Sequence, residues 1–165
     1  MFDSILVVCT GNICRSPMAA GLLRHAVGAG DGAPRVDSVG LAAMTGEPAD
    51  PLAVRLLAGR GVDIRAHRAM QVTDALLRRS ALILVMERVQ QESIENRWPM
   101  LHGRVYRWGH WQDFDVQDPF GRGEQAFHAA LALIERALPD WRQRLQARRA
   151  GTRIDPSSQG VRSGG

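Results

Sequence analysis

The run Ala81-Leu-Ile-Leu-Val-Met86 is apolar at every position. A run of that length without alternation suits a strand buried on both faces, as in a parallel sheet covered by helices. Three further runs share this character: Ser4–Val8, Arg35–Val39 and Arg104–Trp108. Helical patterns lie between them. Pro17–Val27 is introduced by Ser16, which reads as an N-cap ahead of a proline at the first helical position. Asp50–Gly59 opens on Asp-Pro and closes on glycine, and Thr73–Arg79 and Glu87–Arg97 are shorter candidates. Gly123–Arg148 carries Phe127, Leu131, Ile134, Leu138, Trp141 and Leu145 at helical spacing, with Pro139 placed to bend or divide it. Strands alternating with helices predict an α/β fold with right-handed crossovers around one parallel sheet of four strands.

A chain of 165 residues is the size of one domain. That domain is expected over residues 1–150. Gly151–Gly165, rich in glycine and serine and poor in apolar residues, is expected to be a disordered tail.

The segment with chemical character is Cys9-Thr-Gly-Asn-Ile-Cys-Arg-Ser-Pro17, between the first strand and the first helix. Ligands of open α/β sheets bind beyond the carboxyl ends of the strands, where Cys9 falls. The turn after it offers successive backbone N–H groups and then a helix N-terminus, which together form an anion cradle. Such a cradle favours a thiolate. Gly11 lets the backbone close around an anion, and Arg15 adds a planar fork matched to phosphate oxygens. These parts suit attack of the Cys9 thiolate on phosphorus, with loop N–H groups and Arg15 holding the equatorial oxygens. No metal or other cofactor is needed, because backbone and arginine supply the positive field. A Walker-type loop requires lysine before Ser/Thr, and this chain has no lysine.

Composition narrows the surroundings. No apolar run approaches the length of a bilayer span, and Ile5–Val8 lacks the basic segment and length of a signal peptide. A cytoplasmic location without membrane insertion is therefore expected. The net charge of +4 comes from scattered arginines, with no aromatic-interleaved basic stripe, so nucleic acid is not an expected partner. Two cysteines five residues apart are too few for a zinc site.

From Val8 to Pro17 the sequence resembles the loop pattern V-C-x-G-N-I-C-R-S-P of the low-molecular-weight protein tyrosine phosphatases, residue for residue. The resemblance continues through Asp37-Ser38, Gly46–Pro51, Ala66-His-Arg-Ala69, Leu82–Met86 and Gln117-Asp-Pro-Phe120, and covers about residues 4–148. It implies a three-layer α/β/α fold and hydrolysis of phosphotyrosine through a phosphocysteine intermediate. Cys9 takes the place of the nucleophile, Arg15 of the phosphate clamp and Asp118 of the general acid and base. Read without the resemblance, Asp113 and Asp115 are nearly as eligible as Asp118. Thr10, Gly11, Asn12, Ile13, Cys14 and Ser16 fall in the phosphate-binding loop, and Asn12, Ser38 and His67 match a network that braces it. Ser16 also matches a hydroxyl donor to the thiolate, and Asn12 suits a left-handed backbone. Phe120 matches an aromatic that flanks the substrate ring, with Leu41 and Met44 expected on the opposite wall. Cys14 matches a second loop cysteine able to form a reversible disulfide with oxidised Cys9. One departure is Met70, where relatives commonly carry arginine.

Other activities on this fold are less well matched. Arsenate reductases need cysteines beyond the loop, and none follows Cys14. Protein-arginine phosphatases favour threonine where this chain has Ile13. A non-catalytic phosphotyrosine-binding module would not require Cys9, Arg15 and Asp118 together. Trp108-Gly-His-Trp111 and the long final helix resemble the bacterial branch associated with exopolysaccharide or capsule export. That branch implies a phosphotyrosine protein partner, a membrane tyrosine autokinase. Trp108 and Trp111 themselves are expected to anchor core or loop.

Overall fold

In a computed structural model, residues 2–149 are described. Strands β1 (Ser4–Cys9), β2 (Arg35–Gly40), β3 (Leu82–Val85) and β4 (Val105–Arg107) form one parallel sheet in the order β2-β1-β3-β4. Helices α1 (Arg15–Val27), α2 (Pro51–Ala58), α3 (Asp74–Arg79), α4 (Arg88–Arg97) and α5 (Glu124–Arg149) connect and follow them. The chain leaves β1 towards β2 on one side and enters β3 on the other. The crevice at the carboxyl ends of β1 and β3 is thus a topological switch point, the usual ligand position in such sheets.

Both faces of the sheet are buried, which explains the unbroken apolar runs. Ile5, Val7, Leu82 and Leu84 pack with Met18 and Leu23 of α1, Leu57 of α2, and Phe127, Leu131 and Trp141 of α5. Leu6, Val8, Ile83 and Val85 pack on the other side with Leu77 of α3 and Ile94 of α4. The result is three layers, α/β/α.

Strand and helix limits lie within about two residues of the expected ones, with one informative correction. Helix α1 starts at Arg15, preceded by Cys14, and no side chain caps it. Ser16 is therefore inside the first turn rather than an N-cap, and its hydroxyl is free for other work. Pro17 still fits, since the N–H it lacks is one of the first-turn donors left without helical partners. Pro139 does not divide α5, which is continuous on both sides of it. The expected tail, residues 151–165, lies outside the described residues.

The segment after β4 is tied to α5 by two indoles. Trp108 Nε1 donates to the Ile134 carbonyl at 2.9 Å, and Trp141 Nε1 donates to the Trp108 carbonyl at 2.7 Å. Trp111 packs on Trp141, with ring centroids 4.5 Å apart, beneath the Arg144 guanidinium. These tryptophans are anchors, as expected, and they fix the base of the loop that carries Asp118.

Candidate active site

Residues Cys9 to Arg15 line a cavity of about 190 Å³ at the end of β1. Asp118 and Phe120 border it on one side and Ala42 and Met44 on the other. Cys9 is buried. Its Sγ accepts the Asn12 backbone N–H at 3.3 Å and lies 2.9 Å from Ser16 Oγ. Asn12 Nδ2 donates to Ser16 Oγ at 2.7 Å. That bond occupies a lone pair of the hydroxyl and leaves its hydrogen for the sulfur. Ser16 can thereby donate to a thiolate at this position.

Asn12 is the hub of the loop. It is fully buried, with φ of 57°, the left-handed conformation an asparagine tolerates. Its Nδ2 also donates to Ser38 Oγ at 3.0 Å, and its Oδ1 accepts Met70 N–H at 2.9 Å. His67 Nε2 lies 2.7 Å from the Asn12 carbonyl, which can only accept, so Nε2 carries the hydrogen. Burial draws the His67 pKa below its ordinary value, favouring the neutral ring. Met70 contributes its backbone here, while its side chain is exposed. The departure from arginine at that position leaves the brace intact.

Cys14 is also buried and a free thiol. Burial, reinforced by the Asp50 and Asp118 carboxylates, pushes its pKa far above the ordinary thiol range. It is held as a thiol.

Arg15 is only 1% exposed. One terminal nitrogen, Nη1, bonds Glu87 and donates to the Val116 carbonyl at 2.8 Å. The other, Nη2, lies 3.6 Å from Asp118 Oδ2 and 3.5 Å from Thr10 Oγ1. Its Nε is buried without a partner among the described residues. Such an orphaned donor is costly unless a ligand satisfies it, and Arg15 lines the cavity. A tetrahedral oxyanion fits that need.

Glu87 and Gln90 were not singled out from the sequence. Glu87 caps α4 in a reciprocal capping box with Gln90. Gln90 Oε1 accepts the Met86 and Glu87 N–H groups, and Gln90 Nε2 donates to Thr10 Oγ1 at 3.2 Å. The signal was present as Glu-x-x-Gln directly after the most apolar strand, the box that β3 was bound to aim at the switch point.

The three candidate aspartates separate clearly. Asp113 is bonded to Arg107 and pairs with Arg88 at 3.0 Å, while Asp115 pairs with Arg107 at 2.9 Å. Hydrogen bonding to Arg107 holds the Asp113 carboxyl below the usual carboxylate range. Asp118 borders the cavity, with Oδ1 accepting Phe120 N–H at 3.1 Å and its side chain about half exposed. Phe120 and Met44 are both exposed on the rim. Leu41 is not: it packs with Val72 and Trp98 and faces a neighbouring groove, so its place on the cavity wall is corrected.

Gly40 pairs with Cys9 across the sheet. A Cβ there would come within 2.5 Å of the Thr10 carbonyl and 3.0 Å of Ala43. Gly40→Ala is therefore expected to cost about 1–3 kcal/mol by overpacking. Thermal unfolding should show it, together with a loss of activity from displacement of the loop.

The three-layer α/β/α fold, with its loop cavity at the switch point of the sheet, belongs to a class of phosphoric monoester hydrolases. A sequence model described as low molecular weight phosphotyrosine protein phosphatase matches residues 4–150. The chain belongs to that family and is a protein-tyrosine-phosphatase. It is 46% identical over 149 residues to the probable low molecular weight protein-tyrosine-phosphatase EpsP of Ralstonia solanacearum, covering 89% of this chain and 99% of that protein. The crystal structure of the tyrosine phosphatase Wzb from Escherichia coli K30 in complex with sulphate superposes with a TM-score of 0.81 at 38% identity, covering 88% of this chain and 99% of that one. The YwlE arginine phosphatase from Geobacillus stearothermophilus is also similar, with a TM-score of 0.82 at 28% identity, covering 92% of this chain and 97% of that one.

Proposed function

We propose that the chain hydrolyses protein phosphotyrosine with Cys9 as nucleophile, Arg15 as phosphate clamp and Asp118 as general acid and base. The supporting observation is that all three border one cavity, and that Arg15, which lines it, keeps a buried Nε without a partner among the described residues. The Cys9 thiolate attacks phosphorus, forming the S–P bond as the bond from phosphorus to the tyrosyl oxygen breaks. Asp118 in its acid form delivers a proton to that oxygen. Loop N–H groups and the arginine stabilise the charge that develops on the equatorial oxygens. Water then attacks phosphocysteine, Asp118 takes its proton, and release of phosphate regenerates the thiolate. Ser16 donates to the sulfur as it leaves. Asn12, Ser38 and His67 keep the loop in its anion-binding shape.

A phosphotyrosine side chain is long enough to bring phosphorus to a sulfur at the cavity floor while Phe120 and Met44 flank its ring. Ile13 gives the cavity an apolar wall, which favours the aryl ester over phosphoarginine. The relation to EpsP and Wzb and the resemblance to the exopolysaccharide branch support a membrane tyrosine autokinase as the phosphorylated partner, met from the cytoplasmic side. Among the described residues no helix is long and apolar enough to cross a membrane.

The test is a panel of phosphotyrosine, phosphoserine and phosphoarginine peptides. Asp118→Asn is expected to lower kcat by about 10²–10⁴ on substrates with poor leaving groups, and far less on p-nitrophenyl phosphate. Equal rates on phosphoserine would overturn the specificity, and a leaving-group-independent loss would remove Asp118 from the acid role. Failure to dephosphorylate a phosphorylated autokinase tail would count against that partner.

A further inference from the structure

A second cavity, of about 360 Å³, opens beside the catalytic one between α3 and α4. The two share a wall in the segment after β2: Ala42 faces the catalytic cavity and Leu41 faces the groove. That segment is fixed by Leu41 N–H to the Cys9 carbonyl at 2.9 Å and Ala42 N–H to the Thr10 carbonyl at 3.0 Å. The groove is therefore rigidly coupled to the phosphate-binding loop. Leu41, Val72 and Trp98 give it an apolar floor, and Ser93 and Arg97 form its α4 side.

The polar groups of the groove divide into spent and available. Gln71 is spent, with Nε2 on the Leu41 carbonyl and Oε1 on the Ala43 N–H. Asp74 is spent as well: Arg78 Nε and Trp98 Nε1 both donate to it at 2.6 Å. Arg97 is available. Its guanidinium stacks 4.6 Å from the centroid of the Trp98 ring and makes no ion pair among the described residues. Asp74 is paired with Arg78 and also feels the charge of Arg97, whose guanidinium N–H donors remain free among the described residues.

Helix α4 sets the spacing. Gln90 touches Thr10 of the catalytic loop, and Arg97 lies seven residues further on. At about 1.5 Å per residue this is roughly 10 Å along the axis. An extended peptide covers that distance in about three residues. Resting on the phosphotyrosine reading above, we infer that this groove receives the substrate chain beside the phosphotyrosine and that Arg97 selects an acidic side chain about three residues away. The apolar floor takes the stem of that residue and the guanidinium takes its carboxylate.

The experiment compares kcat/KM for phosphotyrosine peptides carrying a single Glu at each position from four before to four after the phosphotyrosine, in an uncharged background. p-Nitrophenyl phosphate, too small to reach the groove, is the reference for the catalytic cavity. One Glu position about three residues out is expected to raise kcat/KM about threefold to fivefold, the range of an exposed ion pair, and less at high salt. Arg97→Ala should abolish that advantage without changing turnover of p-nitrophenyl phosphate, and Arg97→Glu should transfer it to Lys at the same position. An advantage that survives in Arg97→Ala, or no positional preference in the parent, overturns the inference. A second phosphotyrosine preferred over Glu in an Arg97-dependent way overturns the assigned occupant. Hydrolysis of p-nitrophenyl phosphate but of no phosphotyrosine peptide overturns the function on which it rests, and the inference with it.

Discussion

Cys9→Ser is expected to lower turnover of p-nitrophenyl phosphate by at least about 10⁴-fold, the scale on which loss of a nucleophile acts. The serine hydroxyl is smaller than the thiol and can take the same contacts with the Asn12 N–H and Ser16 Oγ, while the Asn12 side chain keeps its own bonds to Ser16 and Ser38. What changes is nucleophilicity: a serine hydroxyl beside Ser16 and the Asn12 N–H has no base to remove its proton, and oxygen is a far weaker nucleophile than sulfur. Anion binding should persist, because Arg15 and the loop backbone are untouched. Calorimetric titration with inorganic phosphate should therefore give a Kd within about tenfold of the parent, alongside a rate near background. Residual turnover of more than a per cent, with phosphate binding intact, would exclude Cys9 as nucleophile. Loss of both would mean that the sulfur, through its contacts with the Asn12 N–H and Ser16, holds the loop together.

How much of this was legible in the sequence depends on how local the information was. The sheet was readable because burial on both faces leaves continuous apolar runs, and β3 needs nothing distant to be recognised. The loop was readable because strand, turn and helix start are consecutive in the chain. The cap role of Ser16 was misread for a local reason: Ser-Pro resembles a cap, but the tight turn after Cys9 starts the helix at Arg15 and turns the hydroxyl towards sulfur, the direction that the donor role implied by the resemblance needs. Distant pairings were less accessible. Choosing among Asp113, Asp115 and Asp118 from residues alone was not possible, because Arg107 claims the first two through folding of the β4 end. Leu41 was placed near the site correctly but on the wrong side, since its direction depends on the exit of β2 and not on its distance from Cys9. Glu87 could have been expected on electrostatic grounds: a fully buried arginine requires a carboxylate, and the neighbouring strand β3 ends two residues before one.

Arg15 is where these strands of reasoning meet, because it joins three segments distant in the chain. Through Nη1 it holds Glu87 at the end of β3 and Val116 in the loop after β4, and through Nη2 it approaches Asp118. Arg15→Ala is accordingly expected to act twice. Loss of the clamp on phosphate should lower kcat by about 10³ or more, as for removal of a cationic donor from a phosphoryl-transfer site. Loss of the ion pair strands Glu87, whose side chain is 28% exposed, so the destabilisation should fall below that of a fully buried pair, at about 1–3 kcal/mol. For a domain of this size that corresponds to a Tm lower by roughly 3–10 °C. Arg15→Lys separates the two effects: it restores charge opposite Glu87, and with it most of the Tm, but a point charge cannot hold Glu87, Val116 and a phosphate at once, so kcat should remain depressed by about 10². Steady-state kinetics and thermal unfolding of the two variants decide the matter. Recovery of kcat with Tm in Arg15→Lys would show that charge alone suffices, and the planar fork would lose its place in the mechanism.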